Sequence, residues 1–524
     1  MNKIEAIKTE RDGLEVKEMI ARYAKTGWES IPEDDVQRLK WYGLFLRNPT
    51  PGFFMIRVRI PGGKTGSYQL RALADIAGTY GNGILDLTTR QQLQLRQIRI
   101  EDVPAVFAKL DEVGLTSLQT GMDNVRGVMT CPVAGLSPEE VSDATQIVRA
   151  ISEEILGNPA YSNLPRKFNV AVTGCPDNCV HMETQDLALV PAFHDSGHGN
   201  SIGYNVLAGG KLGSGGYRVA TPLDIFVTEG EALDVSRAII QIFREHGSRE
   251  NRTQARLAFL LDEWGEGRFR QEVETRVGKP LSPAGVDARK PIEKSHVGIY
   301  RQTQPGMNYV GLKVLVGRIK HDDLAKIAAL AEKYGTGEIR ISPAQALIIP
   351  NVSDRKIGDL DHEPLVKQFA YNPSPIYKGL VSCVGSDYCN LAVIETKGRA
   401  VETANALESR LGSSLKPITI HWSGCPASCG NHLVADIGLL GKKTKVDGKV
   451  VDAVDVYVGG RSGPDPKLAV KIMEDVPCET LPAVLEGLVP YHTRNKMHRV
   501  RAGVRMSVPN GGAGTLPAPV PQEA

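Results

Sequence analysis

LRALADIAGTYGNGILDLTTRQQLQL (70–95) and LAKIAALAEKYGTGEIRISPAQALII (324–349) are two versions of one segment. Each starts with apolar residues at helical spacing, passes a Tyr-Gly pair and ends in a strand-like run. Tyr80-Gly81 matches Tyr334-Gly335 and Gln91 matches Gln345, both at an offset of 254. Upstream, MIRVRI (55–60) alternates an arginine face with an Ile/Val face, as a half-buried strand should. Its counterpart is YVGLKVLV (309–316). A second pair follows, TGCPDNC (173–179) with SGCPASC (423–429), and then VLAGG (206–210) with VYVGG (456–460), now at an offset of 250. Landmarks that keep their offsets this well mark a duplication. The fold class is mixed α/β: a β-α-β module, a cysteine-bearing α/β module, then both again about a pseudo-two-fold.

The organisation follows outward from these copies. Residues 1–49 read as a polar, helical N-terminal arm, 50–120 as the first β-α-β module and 121–275 as the first cysteine-bearing module. A Pro/Lys/Gly-rich joining segment (276–299) leads to the second pair, at 300–365 and 366–505. A Gly/Pro-rich tail (506–524) is expected to be disordered. The chain of 524 residues is long enough for several buried cores. Its net charge of +2 makes no case for nucleic acid or a membrane surface. No apolar run is long enough to span a bilayer, and MNKIEAIKTERDGLEVKEM lacks the apolar core of a signal peptide. The expected location is the cytoplasm.

In a reducing compartment, eight cysteines do not read as a disulfide framework. The second half carries Cys383-x5-Cys389 and Cys425-x3-Cys429, four thiols in two pairs. A [4Fe–4S] cluster needs one sulfur for each iron. Zinc is the alternative metal, although five intervening residues are wide for a zinc knuckle. Glycines and Pro426 around the pairs let backbone N–H groups approach cluster sulfurs. Four buried structural cysteines are the bland alternative.

C-x5-C followed by G-C-x3-C, in the second half of a duplicated chain with arginine segments before it, resembles the siroheme-dependent nitrite and sulfite reductases. The resemblance spans about residues 40 to 505, and within the family it is most like ferredoxin–nitrite reductase. It implies ferredoxin-like half-domains for the β-α-β modules. It also implies that Cys383, Cys389, Cys425 and Cys429 hold the cluster, with Cys429 serving as proximal ligand of the siroheme iron. Siroheme carries eight carboxylates and its substrates are small oxyanions, so the site must supply many fixed cations, for which arginine is best suited. The candidates are Arg57 and Arg59, Arg90, Arg126, Arg166 and Lys167. Any one of them alone reads as a solvated charge, but Arg57 lies mid-strand, where a charge is unfavourable without a partner. By resemblance, Arg57, Arg126, Lys167 and Asn169 surround the substrate, and Thr88, Arg90, Gln94, Arg166 and Gln345 hold the macrocycle. Lys167 is a candidate proton donor. R-K-F-N (166–169) has asparagine where sulfite reductases resemble R-K-F-K, which fits a monoanion better than a dianion.

The implied activity is six-electron reduction of nitrite to ammonium by a monomer fed by ferredoxin. Assimilatory sulfite reduction is the nearest alternative, a precorrin-modifying enzyme of the same superfamily a more distant one. From another class come a non-catalytic iron–sulfur carrier and a zinc-stabilised scaffold. No dinucleotide fingerprint is present, so electrons must come from a separate protein. GKKTKVDGK (441–449) is one candidate docking run. Cys131, Cys175 and Cys179 align roughly with Cys389, Cys425 and Cys429, leaving Val125 near the place of Cys383. They read as relics of duplication, with a second metal site using a non-cysteine fourth ligand as the alternative. His421 and His432 read as hydrogen-bonded neighbours of the cysteine pair and Cys478 as structural.

Overall fold

The computed structural model describes residues 2–195, 200–291, 293–412 and 415–506, so most of the Gly/Pro-rich tail lies outside the described residues. The two β-α-β modules each build a five-stranded antiparallel sheet, and neither is complete by itself. The first sheet runs Leu44–Arg47, Thr50–Val58, Leu93–Arg99, Ile84–Leu87 and then Arg318–Lys320 from the second half. The second runs Gly298–Arg301, Met307–Lys313, Ala346–Ser353, Glu338–Ser342 and then Lys64–Gly66 from the first half. Each copy thus covers the other's sheet edge, which would otherwise present unpaired N–H and C=O groups. Helices Ser67–Thr79 and His321–Tyr334 lie together beneath the two sheets, and Leu70, Leu73 and Ile76 share one core with Leu324, Ile327 and Ala331.

The hairpin turns repeat the symmetry in detail. Gln91 and Gln345 both adopt a left-handed backbone, φ 57° and 58°. Gln91 Nε2 donates to Ile341 O (3.0 Å) and its Oε1 accepts from Thr130 N (3.1 Å). Gln345 Nε2 donates to Ser382 O (2.8 Å) and Leu87 O (3.4 Å), and its Oε1 accepts from Ser382 N (3.1 Å). Such strain persists only where the surroundings over-determine it, and here the backbone bonds on each amide do so.

The cysteine-bearing modules each pair a short parallel strand with a long antiparallel hairpin. Val170↔Leu187 in the first corresponds to Ile420↔Ile437 in the second, and Leu189↔Val206 to Leu439↔Val456. The pairing corrects the alignment of the thiols. Met129 bridges Ala171 as Val381 pairs His421, and Thr130 meets Gln91 as Ser382 meets Gln345. Cys131 therefore occupies the place of Cys383, not of Cys389, and it is Cys389 that has no counterpart. Spacing alone misaligned these positions because the chain between cysteine pairs differs in length in the two copies.

Two further segments are more integrated than composition suggested. The N-terminal arm packs Val16, Ile20 and Leu39 into the shared core, and Trp41 Nε1 donates to Ser162 Oγ (3.0 Å) of the first cysteine-bearing module. The joining segment begins inside the helix Leu257–Val277. It adds the strand Val286–Asp287 to the edge of the first module's sheet and buries His296 completely.

Candidate active site

A cavity of about 530 Å³ opens where the ferredoxin-like sheets meet both cysteine-bearing modules. Its lining includes Arg57, Arg126, Lys167 and Asn169, then Thr88, Arg90, Gln94, Arg166 and Gln345, and finally Cys383, Cys389, Cys425 and Cys429. Arg59 is the exception among the arginines considered. It is buried and donates to the backbone carbonyls of Leu118, Gln119, Val125 and Arg126, a structural brace behind the wall.

The four cysteines are close enough for Cys425 to feel each of the other three sulfurs. Burial first, and then these neighbours, push its thiol up to about 12, against a hydrogen bond from Ala427 N–H. Bringing sulfurs together is thus unfavourable for thiolates unless a cation sits among them. Backbone donors already point at sulfur: Gly424 N to Cys383 Sγ (3.2 Å) and Leu391 N to Cys389 Sγ (3.4 Å). Cys429 is the exposed member of the set and faces the cations, interacting favourably with Arg57, Arg90 and Lys167. Thr89 Oγ1 donates to Cys429 O (2.9 Å), tying its loop to the turn that carries Arg90.

Arg57 and Arg126 are held by neutral backbone rather than by carboxylates. Arg57 and Arg126 both donate to Thr120 O, at 2.9 and 2.8 Å, and Arg126 also reaches Met122 O (2.7 Å). Burial, then Arg90, lowers Arg57 to about 10, and burial, then Arg256, does the same to Arg90. Burial, then Arg256, holds Lys167 well below the ordinary lysine value, with Arg126 and Arg90 adding to the effect. Arg166 leans toward Asp123 (3.7 Å), whose carboxylate Arg252 already grips with both nitrogens. Gln94 accepts from Arg96, whose Nε donates to the buried Asp86 (2.7 Å). The side-chain amide of Gln345 is engaged by Ser382, next to Cys383.

Several buried polar atoms in this wall have no hydrogen-bond partner among the described residues: Arg47 Nε, Gln92 Nε2, Arg126 Nε, Arg166 Nε and Asn169 Oδ1. Leaving such atoms unpaired is costly, and a row dominated by donors suits a ligand with many carboxylates. Phe45, Leu87, Met122, Met129 and Val180 supply apolar wall between them, as the faces of a large planar ring require. The residues present therefore fit both a [4Fe–4S] cluster and a siroheme. Sequence reasoning missed Lys40, Arg47, Gln92 and Arg96; alternation in LFLR (44–47) carried the one available hint for Arg47. His432 bonds Ser428 Oγ (2.9 Å) and His421 bonds Asn431 O (3.3 Å), so both are neighbours of the cysteine loop. In 441–449, Lys442 pairs with Asp455 (3.1 Å) and Lys443 with Asp452, leaving Lys445 and Lys449 on the surface.

The nitrite and sulphite reductase 4Fe-4S domain model matches residues 121–281 and 378–507, and the nitrite/sulfite reductase ferredoxin-like half domain model matches 47–113 and 300–366. The chain belongs to the nitrite and sulphite reductase family. Among its relatives, a ferredoxin–nitrite reductase of Synechococcus elongatus is 45 % identical over 93 % of this chain and 96 % of its own. An assimilatory ferredoxin-dependent nitrite reductase of Haloferax mediterranei is 36 % identical over 93 % of this chain and 87 % of its own. The solved structure of the Mycobacterium tuberculosis NirA protein superposes with a TM-score of 0.87 at 32 % identity, covering 93 % of this chain and 92 % of that one.

Proposed function

We propose that this protein reduces nitrite to ammonium, taking electrons singly from ferredoxin and using a siroheme and a [4Fe–4S] cluster. Nitrite, six electrons and eight protons yield ammonium and two waters. The observation that carries this reading is that the cysteine set and the ring of buried cations share one cavity, with Cys429 between them. The relatives named for ferredoxin and nitrite support it at high coverage. Cys383, Cys389, Cys425 and Cys429 would hold the cluster, Cys429 would also ligate the siroheme iron, and Thr88, Arg90, Gln94, Arg166 and Gln345 would hold the macrocycle. Siroheme supplies the iron that binds the anion and delivers electrons to it.

The chain's own residues do the rest. Arg57 and Arg126, fixed through one carbonyl, meet the anion with little reorganisation and stabilise charge as oxygens leave. Lys167, eased toward proton release by its surroundings, supplies protons to departing oxygen. Asn169, whose backbone N–H is anchored on Asp186 (2.8 Å), lines the same cavity without adding a charge. The cysteine wall reaches the surface at Leu391 and Val393, 67 % and 45 % exposed, a place where a donor protein can approach the cluster. Among the described residues no helix is long and apolar enough to cross a membrane. We read the protein as a cytoplasmic monomer that needs neither membrane nor nucleic acid. Turnover with reduced ferredoxin tests the assignment: nitrite is consumed to ammonium, and the purified protein shows a Soret and a red-region band that shift on adding nitrite. Sulfite turned over far better than nitrite would overturn it.

A further inference from the structure

Nothing in the nitrite chemistry uses Cys131, Cys175 or Cys179. All three are buried, in a small satellite core with Met129, Val133 and Tyr309. Three thiols in an apolar pocket could be ordinary small hydrophobes. A fourth group sets this pocket apart. His296 comes from the joining segment, is 0 % exposed and adopts a left-handed backbone, φ 57°.

The ligand atoms of Cys131, Cys179 and His296 lie within 4.8 Å of one another, and so do those of Cys175, Asp177 and His296. His296 Nε2 stands 3.6 Å from Cys131 Sγ, and the thiols of Cys175 and Cys179 are both neighbours of the same Sγ. On its other side His296 Nδ1 is 3.1 Å from Tyr309 Oη. With Nδ1–H donating to that hydroxyl, the lone pair is on Nε2 and faces the sulfurs. This is how second-shell partners orient metal-ligating histidines.

We propose that the first copy holds a mononuclear zinc centre ligated by Cys131, Cys175, Cys179 and His296. Three sulfurs and one nitrogen at a buried point are a structural zinc donor set. A second [4Fe–4S] cluster is the wrong fit, because its sulfurs must stand apart around a cube while the ligand atoms of Cys131, Cys179 and His296 lie within 4.8 Å of one another. The pairing of strands gives the origin of the site. Cys131, Cys175 and Cys179 hold the places of Cys383, Cys425 and Cys429, the equivalent of Cys389 is gone, and a histidine from outside the repeat supplies the fourth ligand. Binding replaces three thiol protons, released to solvent, with one divalent cation, and no electron moves. The centre joins the first module to the segment entering the second half, so its role is structural.

The full-length protein, purified with its iron and dialysed against EDTA, is assayed for zinc and iron by mass spectrometry. About one zinc per chain is expected, whatever the iron loading. Absorption at the zinc edge should show three sulfurs at about 2.3 Å and one nitrogen at about 2.0–2.1 Å. His296→Gln should lose most of that zinc, whereas His296→Cys should keep it with four sulfurs, separating lost ligation from lost folding. Protein without zinc, or with a disulfide among the three cysteines, overturns the proposal, as does a zinc edge dominated by oxygen and nitrogen.

Discussion

We propose that the choice of anion turns on Asn169. It lines the cavity with Lys167, and its Oδ1 lacks a hydrogen-bond partner among the described residues. A lysine there would add a cation, from which a dianion gains more than a monoanion. One extra unit of charge at 4 Å is worth about 1 kcal/mol even in a water-like dielectric, and several times that at an effective dielectric of 20. Asn169→Lys should shift kcat/KM toward sulfite over nitrite by about tenfold or more, read from parallel assays on both anions. Lys167 makes a second prediction. Burial, reinforced by Arg256, Arg126 and Arg90, lowers its folded pKa, so its positive charge is present below that pKa and is lost as pH rises through it, sooner than for an ordinary lysine. KM for nitrite should therefore rise on the alkaline side. Lys167→Arg keeps the charge and should move that limb to higher pH; a limb that stays put would remove Lys167 from the anion's surroundings.

At the scale of elements, the hairpin turns decide whether the cysteine pairs meet the sheets correctly. Gln345 satisfies both the N–H and the C=O of Ser382, one residue before Cys383. Gln345→Ala leaves those groups buried without partners, at about 1–3 kcal/mol. The expected outcome is a lower apparent Tm together with weaker iron–sulfur absorbance, because Cys383 is no longer held. Gln91→Ala removes the matching bonds to Ile341 and Thr130 in the first copy. It should cost similar stability while sparing the iron–sulfur absorbance. Equal loss of that absorbance in both variants would mean that the two turns do not act on their own modules.

The whole molecule is a pair of halves that cannot close separately. Each ferredoxin-like sheet borrows its edge strand from the other copy, and one core holds both helices. A chain ending at residue 295 would lack the edge Arg318–Lys320 and expose Leu70, Leu73 and Ile76. At roughly 1.5–3 kcal/mol for each large apolar side chain returned to water, such exposure is comparable with the whole stability of a typical domain, about 5–15 kcal/mol. That fragment should give no cooperative transition in calorimetry, and co-expression with the remaining chain should restore one. A well-folded isolated half would show the exchanged edges to be dispensable.

Much of the site was legible without coordinates, and the reason is local. Cys383, Cys389, Cys425 and Cys429 declare themselves by spacing, and Arg57 by its place in an alternating strand. Arg47 and Gln92 did not, because a charged or amide residue in a short strand or turn looks the same whether it faces solvent or a cavity. The amino-acid order determined the duplication, the module types and the chemistry of the ligands, since these depend on residue identity and on periods of a few residues. Only the tertiary structure decided that the two sheets exchange edges, that Cys131 corresponds to Cys383, and that His296 joins the first copy's thiols. Those facts rest on contacts between residues far apart in the chain, where packing and hydrogen-bond geometry, not local spacing, choose the partner.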